Sequence, residues 1–233
     1  MSYQRLAAGS ITRNLTILTL KEWHPVRSSE SRPAGRSGCD SHPAPNTHSI
    51  APIGAQAMGA RRNSHKAEQL ASDLGLHLDS KAKGTYLLLA KLDRSRQLCV
   101  GKLGIYPFPS GWYAYAGSAM GSGGLSARLA RHLRAEKRMH WHIDYLLAAA
   151  ELRASWHIVA TARLECAWAG ALMGLVNAQI IVRRFGASDC RCHAHLIYLG
   201  DGPRYQEISE VLASASRDQG IADALRLLTC TRY

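Results

Sequence analysis

Residues 84–133 read GTYLLLAKLDRSRQLCVGKLGIYPFPSGWYAYAGSAMGSGGLSARLARHL. Two apolar runs, Thr85 to Leu92 and Leu98 to Leu103, flank the polar turn Asp93 to Gln97 and read as strands. Pro107, Pro109 and Gly111 punctuate the chain before Trp112 to Ala116, an aromatic-rich third strand. Gly117 to Gly124 is a flexible loop, and it opens a helix over about 125–135 whose inner face carries Leu125, Leu129 and Leu133. Working outward, the pattern predicts a helix over 142–152, a strand over 155–160 and a helix over 163–176. That last helix turns Leu164, Trp168, Leu172 and Leu175 inward. Leu196 to Leu199 can close the sheet. Strands first and helices after imply an α+β domain over residues 81–200, a small, mainly antiparallel sheet with helices packed on it.

Outside that domain the signals weaken. Residues 1–80 form a low-complexity tail, expected to be poorly ordered because Ser28 to Asn46 is dense in Ser, Pro, Gly and Arg. A helix is expected near 65–78, with Ala67, Leu70 and Leu74 at helical spacing. Met58 precedes it, and residues 1–57 are expected to be an over-extended gene start. Residues 201–233 read as a helical extension, with helices around 208–212 and 221–228. The 233-residue chain carries 29 Lys and Arg against 17 Asp and Glu, a net charge of +12. Nearly all of this excess falls within 81–199, so a polyanionic partner would meet that segment. No apolar run is long enough to cross a membrane. The N-terminus lacks the order of a signal peptide, so a cytoplasmic location is expected.

The chemistry-bearing residues follow the strands. Tyr86 lies on the first strand and Tyr115 on the third. Arg128 and His132, four apart, share a helical face, and Glu165 heads a later helix. Two phenols, a guanidinium, an imidazole and a carboxylate could share a cleft suited to phosphodiester hydrolysis. A carboxylate can hold Mg²⁺, Arg offers a planar fork to phosphate, and a phenol can take a proton from water. GSAMGS is not a nucleotide-binding P-loop, since no Gly-Lys-Ser/Thr follows.

The segment resembles the GIY-YIG nuclease superfamily. Gly84-Thr85-Tyr86 stands at the first signature tripeptide and Tyr115-Ala116-Gly117 at the second. Ser118, Leu125, Arg128, His132 and Glu165 continue the pattern. GWYAYAGSA, LSARLARHLR, HWHIDYL, LECAWA and GASDCRCHAHL resemble a compact prokaryotic subgroup whose relatives can be fused to a base-excision DNA glycosylase. The resemblance implies a metal-dependent endonuclease acting on DNA, or RNA, in repair or processing, with 5′-phosphate and 3′-hydroxyl products. It implies Tyr86 as general base or water-orienting group, and Tyr115 as the residue positioning water or phosphate. Arg128 would stabilise the transition state with His132 assisting, and Glu165 would bind one Mg²⁺ or Mn²⁺. A repair glycosylase would be a fitting partner. The tyrosines stand further apart than in compact members, which requires an extra hairpin between them. Thr85 and Ala116 replace the usual isoleucines and are expected only to pack.

Two further clusters invite function. His140, His142 and Asp144 with Cys190, Cys192 and His195 offer donors for Zn²⁺. The Cys-x-Cys spacing is unusual for a zinc knuckle, and the competing reading has His142 and Asp144 bracing a helix start. Arg131, Arg134, Lys137 and Arg138 could track a nucleic-acid backbone. Two alternatives to cleavage follow: a non-catalytic nucleic-acid-binding module with the nuclease fold, and a zinc-dependent hydrolase built on the His/Cys cluster.

Overall fold

The computed structural model describes residues 81–202 and 205–233; the expectations for residues 1–80, including the tail, the gene start and the helix near 65–78, lie outside them. The fold is α+β. Its sheet has five antiparallel strands in the order β6-β4-β1-β5-β7: β1 Gly84–Leu92, β4 Gly111–Ala119, β5 Glu151–Val159, β6 Leu196–Tyr198 and β7 Thr229–Arg232. The extra hairpin is present as a separate two-stranded sheet, β2 (Arg96–Cys99) paired with β3 (Ile105–Phe108). A 3₁₀ turn at Gly101–Leu103 stands between them, where a longer second strand is expected from the sequence.

β1 is the central strand, and its run of Leu87, Leu88 and Leu89 is apolar without alternation because both faces are covered. One face packs against α1 (Gly124–Leu133) and α2 (His142–Leu147), burying Tyr86, Leu88, Tyr115, Leu125, Leu129 and Ile143 together. The other face meets α3 (Glu165–Leu172) and α4 (Tyr205–Asp218), burying Leu87, Leu89, Trp156, Trp168, Ile208 and Leu212. Successive β1 side chains therefore serve opposite layers, so Tyr86 faces α1 and Thr85 faces α3.

The residues after 200 are built into this domain rather than appended to it. Trp156 and Trp168 donate their indole N–H groups to Ser209 and Ser216 of α4, both at 2.9 Å. A short helix α5 (Ala224–Leu227) leads into β7, a strand absent from the sequence reading, which pairs with β5. α2 ends at Leu147 rather than 152, because pairing of Glu151 with Lys91 and Leu152 with Ala90 recruits those residues to β5. Among the described residues no helix is long and apolar enough to cross a membrane.

Candidate functional site

The antiparallel register of β1 and β4 sets Tyr86 beside Gly117 and Leu88 beside Tyr115. Both phenols thus leave the same face of adjacent strands, near the end where β4 gives way to the loop before α1. Gly117 is required there by space: a Cβ would lie 2.5 Å from the Tyr86 hydroxyl and 2.6 Å from its ring carbon Cζ. α1 brings Arg128 over the opening, and the N-terminus of α3 brings Glu165 from the far side. Together Tyr86, Tyr115, Ser118, Arg128 and Glu165 line a cleft of about 680 Å³, which His140, Trp141, His142 and His195 also border.

Each of these groups is held from behind. The Arg128 guanidinium lies 4.5 Å over the Trp141 ring, a cation–π contact that leaves its donors free to face the cleft. Ser118 donates a hydrogen bond to Glu165 Oε1 at 3.1 Å, while Glu165 Oε2, buried, has no partner among the described residues. Thr85, expected only to pack, accepts a hydrogen bond through Oγ1 from the Leu164 N–H at 3.0 Å. It thereby satisfies an otherwise open N–H at the start of α3, one residue before Glu165. Nothing in the Gly-Thr-Tyr tripeptide alone shows that role, because α3 arrives from a distant part of the chain.

Tyr86 is buried, and its hydroxyl meets His132 Nε2 at 2.9 Å. His132, expected to share the cleft and assist Arg128, does not line it and sits behind Tyr86. Burial lowers the His132 pKa against the pull of Asp144, so the ring is neutral near pH 7 and can accept the phenolic proton. Its Nδ1, 3.7 Å from Asp144 Oδ1, has no hydrogen-bond partner among the described residues. Burial raises the Tyr86 pKa well above the ordinary phenol value, Tyr115 adds to this, and Arg128 pulls it down. Tyr115 is likewise raised by burial and lowered by Arg128.

Asp144 is fully buried and accepts from both Arg131 amino groups at 2.9 and 2.8 Å. It also accepts from the His140 and Trp141 N–H groups at 3.0 and 2.9 Å, capping α2. Its carboxylate is thus already engaged by four N–H donors. His142 Nδ1 accepts from the Gly186 N–H at 3.0 Å, and His140 is exposed, edge-on to Trp141. The expected six-residue metal set therefore divides. Cys190, Cys192 and His195 come together not with these three but with Cys166, whose Sγ joins theirs and a His195 ring nitrogen within 4.8 Å. Sequence reasoning missed Cys166 because on α3 it reads as one more small residue; only the fold brings it to the 184–195 loop.

The basic run also divides. Arg131 is committed to Asp144 and to the Arg138 carbonyl, so it braces α1 and α2 rather than offering itself to a phosphate. Lys137 donates to the His132 carbonyl at 2.7 Å. With Arg134 and the exposed Arg138 it lines a second depression that meets the main cleft at His140. Trp156 is wholly buried and unavailable for stacking on bases, whereas Trp141 is 38% exposed at the cleft rim.

No curated protein and no solved structure matches the chain. The family described as domain of unknown function DUF123 matches residues 85–217, from β1 through most of α4. With more than half of its length accounted for in this way, the protein belongs to the DUF123 family.

Proposed function

We propose that the protein is a GIY-YIG-type metal-dependent endonuclease that hydrolyses phosphodiester bonds, with DNA as substrate and 5′-phosphate and 3′-hydroxyl ends as products. The observation that carries this reading is the meeting of Tyr86, Tyr115, Arg128 and Glu165 around one cleft, with one Glu165 oxygen buried and unpaired among the described residues. A hard carboxylate oxygen left without a donor fits a divalent cation, Mg²⁺ or Mn²⁺, and Glu165 would hold it. When bound, such an ion polarises a phosphoryl oxygen and offsets developing charge.

The remaining work falls to the chain. A buried phenol with a raised pKa is a poor stored phenolate, so Tyr86 acts as a relay: it receives a proton from the attacking water as its own passes to His132 Nε2 at 2.9 Å. The imidazolium so formed faces Asp144 across 3.7 Å. Tyr115 orients the water or the phosphate. Arg128, fixed over Trp141, offers its fork to the phosphate as negative charge builds. Arg134, Lys137 and Arg138 extend this surface along the backbone without reading bases. A cytoplasmic location would give such a protein direct access to nucleic acid, and a base-excision glycosylase would be a partner of matching chemistry.

Incubating the purified chain with nicked, flapped and single-stranded oligonucleotides, with and without Mg²⁺ or Mn²⁺, tests the proposal. Metal-dependent cleavage should fall about 100-fold or more in Tyr86→Phe and in Glu165→Gln. Cleavage that survives both substitutions removes the site. The second reading, a binding module without cleavage, is favoured by the depth at which Tyr86 is buried. It wins if salt-sensitive binding occurs with no cleavage in any metal.

A further inference from the structure

We propose that Cys166, Cys190, Cys192 and His195 bind one Zn²⁺ ion in a closed tetrahedral site that pins the catalytic ends of α3 and β6. His195 Nε2 lies 3.4 Å from Cys190 Sγ and 3.6 Å from Cys166 Sγ. In a tetrahedron with Zn–S near 2.3 Å and Zn–N near 2.0–2.1 Å, the S–N edge is about 3.6 Å. Two His195–sulfur separations thus already match those that one ion imposes, and all four donor atoms lie within 4.8 Å of one another. Three sulfurs and an imidazole are soft and borderline donors, which select Zn²⁺ over Mg²⁺ or Mn²⁺.

The loop that carries two of the thiols is built to present them. Arg184 donates through Nη1 to the Cys190 carbonyl at 2.6 Å and the Cys192 carbonyl at 3.3 Å, and through Nη2 to the Ser188 carbonyl at 3.2 Å. With these carbonyls gathered on the guanidinium, the turn that spans both cysteines is fixed in shape. Arg184 itself has φ 65°, a left-handed conformation that non-glycine residues adopt only where the surrounding contacts hold it. The loop is closed at its base by backbone bonds from Arg184 to the His193 carbonyl at 2.6 Å and from His195 to the Phe185 carbonyl at 2.8 Å. His195 is itself buried, so its ring is held in place by the surrounding core rather than by solvent.

The site adjoins the cleft through its own ligands. Cys166 follows Glu165 directly, and the residue after His195, Leu196, pairs with Tyr115. Gly186 touches the same phenol: a Cβ there would lie 2.6 Å from the Tyr115 ring. An ion joining Cys166 to the 190–195 loop therefore ties Glu165 and Tyr115 to one rigid point. Four protein donors leave no open position on the ion, so its part is positional, and hydrolysis at the zinc itself is not what this donor set supports. The positional consequence rests on the nuclease reading; the zinc site does not.

The test uses the full chain purified without added metal, with zinc measured by plasma emission. One zinc per chain is expected, replaceable by Co²⁺ with the intense visible bands of a tetrahedral thiolate site. The Cys190→Ser/Cys192→Ser variant should lose it, while Glu165→Gln keeps it. Zinc well below one equivalent with no cobalt spectrum overturns the proposal, as does full zinc in the double variant. If that variant fails to fold, the wild type is read instead. Stripping the ion should expose three further thiols to a thiol reagent, and zinc release that exposes none overturns the site. Actively cleaving protein without zinc sinks this proposal alone; zinc-loaded protein that cleaves nothing sinks the nuclease reading alone.

Discussion

Replacing Asp144 with alanine should destabilise the protein by about 3–5 kcal/mol, the range for removing one partner of a buried ion pair. The magnitude follows from what the carboxylate holds. Asp144 is wholly buried and accepts four hydrogen bonds: two from Arg131, whose side chain is 24% exposed, and two from the His140 and Trp141 backbone. Truncation leaves a mostly buried guanidinium without its anion and two N–H groups at the start of α2 without their acceptor. At about 2–4 °C per kcal/mol for a domain of this size, the melting temperature should fall by about 6–20 °C.

The same carboxylate makes a pH prediction with a definite sign. Burial alone would raise its pKa, but His132, the Arg131 fork and the two N–H groups more than offset this and hold it well below the usual carboxylate range. Its stabilising contribution is therefore complete above the unfolded value of about 3.9 and is lost as the pH falls from there towards the folded pKa. Thermal unfolding of wild type, Asp144→Ala, Arg131→Met and the double variant, followed by circular dichroism, gives the coupling energy directly. A single-variant loss under about 1 kcal/mol, or a coupling indistinguishable from zero, would refute the account of this pair as the brace between α1 and α2.

Three further outcomes are expected. Gly117→Ala should displace the Tyr86 ring, because the new methyl would stand 2.5 Å from its hydroxyl; loss of cleavage with DNA binding retained is the signature, and unchanged cleavage would contradict the close approach. Arg128→Ala should slow cleavage about 100- to 1000-fold, with Arg128→Lys restoring only part because a point charge lacks the fork; the rates are read from single-turnover assays on a labelled oligonucleotide. Because burial lowers the His132 pKa and its neutral form is the proton acceptor, cleavage should persist through neutral pH and fall only below the ordinary imidazole range near 6.5. A rate that drops already between pH 8 and 7 would place the acceptor elsewhere.

The sequence was informative wherever a local pattern coincided with a tertiary requirement. β1, β4 and α1 could be read because their apolar periodicity and glycine punctuation are the features that the packed sheet uses. The long spacing between Tyr86 and Tyr115 foretold the β2–β3 hairpin, since adjacent antiparallel strands leave the intervening chain nowhere else to go. Other elements were hidden for physical reasons. Thr229–Arg232 is a short, mostly exposed edge strand with no alternation, and it is a strand only because β5 offers an unpaired edge. The three alanines after Leu147 favour continued helix, but pairing with β1 outweighs that small local preference. In the site, the tyrosines, Arg128 and Glu165 were visible as a motif. The places of His132 behind Tyr86, Thr85 beneath Glu165 and Cys166 beside the cysteine loop depend on contacts between distant segments, which no spacing rule encodes.

These hidden contacts explain why the cleft can be rigid although it is assembled from four separate elements. A cleft that stabilises a developing charge does so best when its dipoles are fixed before the charge appears. Here Tyr86 is fixed by His132, α1 and α2 by the Asp144–Arg131 pair, and Arg128 by Trp141. Glu165 is fixed on one side by Ser118 and at its helix start by Thr85. Tyr86, Arg128 and Glu165 are each braced by a residue from outside their own element. A substitution in one brace should therefore move one cleft group while leaving the others in place, provided the domain stays folded. The exception is Asp144, which supports the cap of α2, the position of α1 and the field at His132 at once. Graded loss at Ser118 or Trp141 against collective loss at Asp144 is the pattern that preorganisation by separate braces requires.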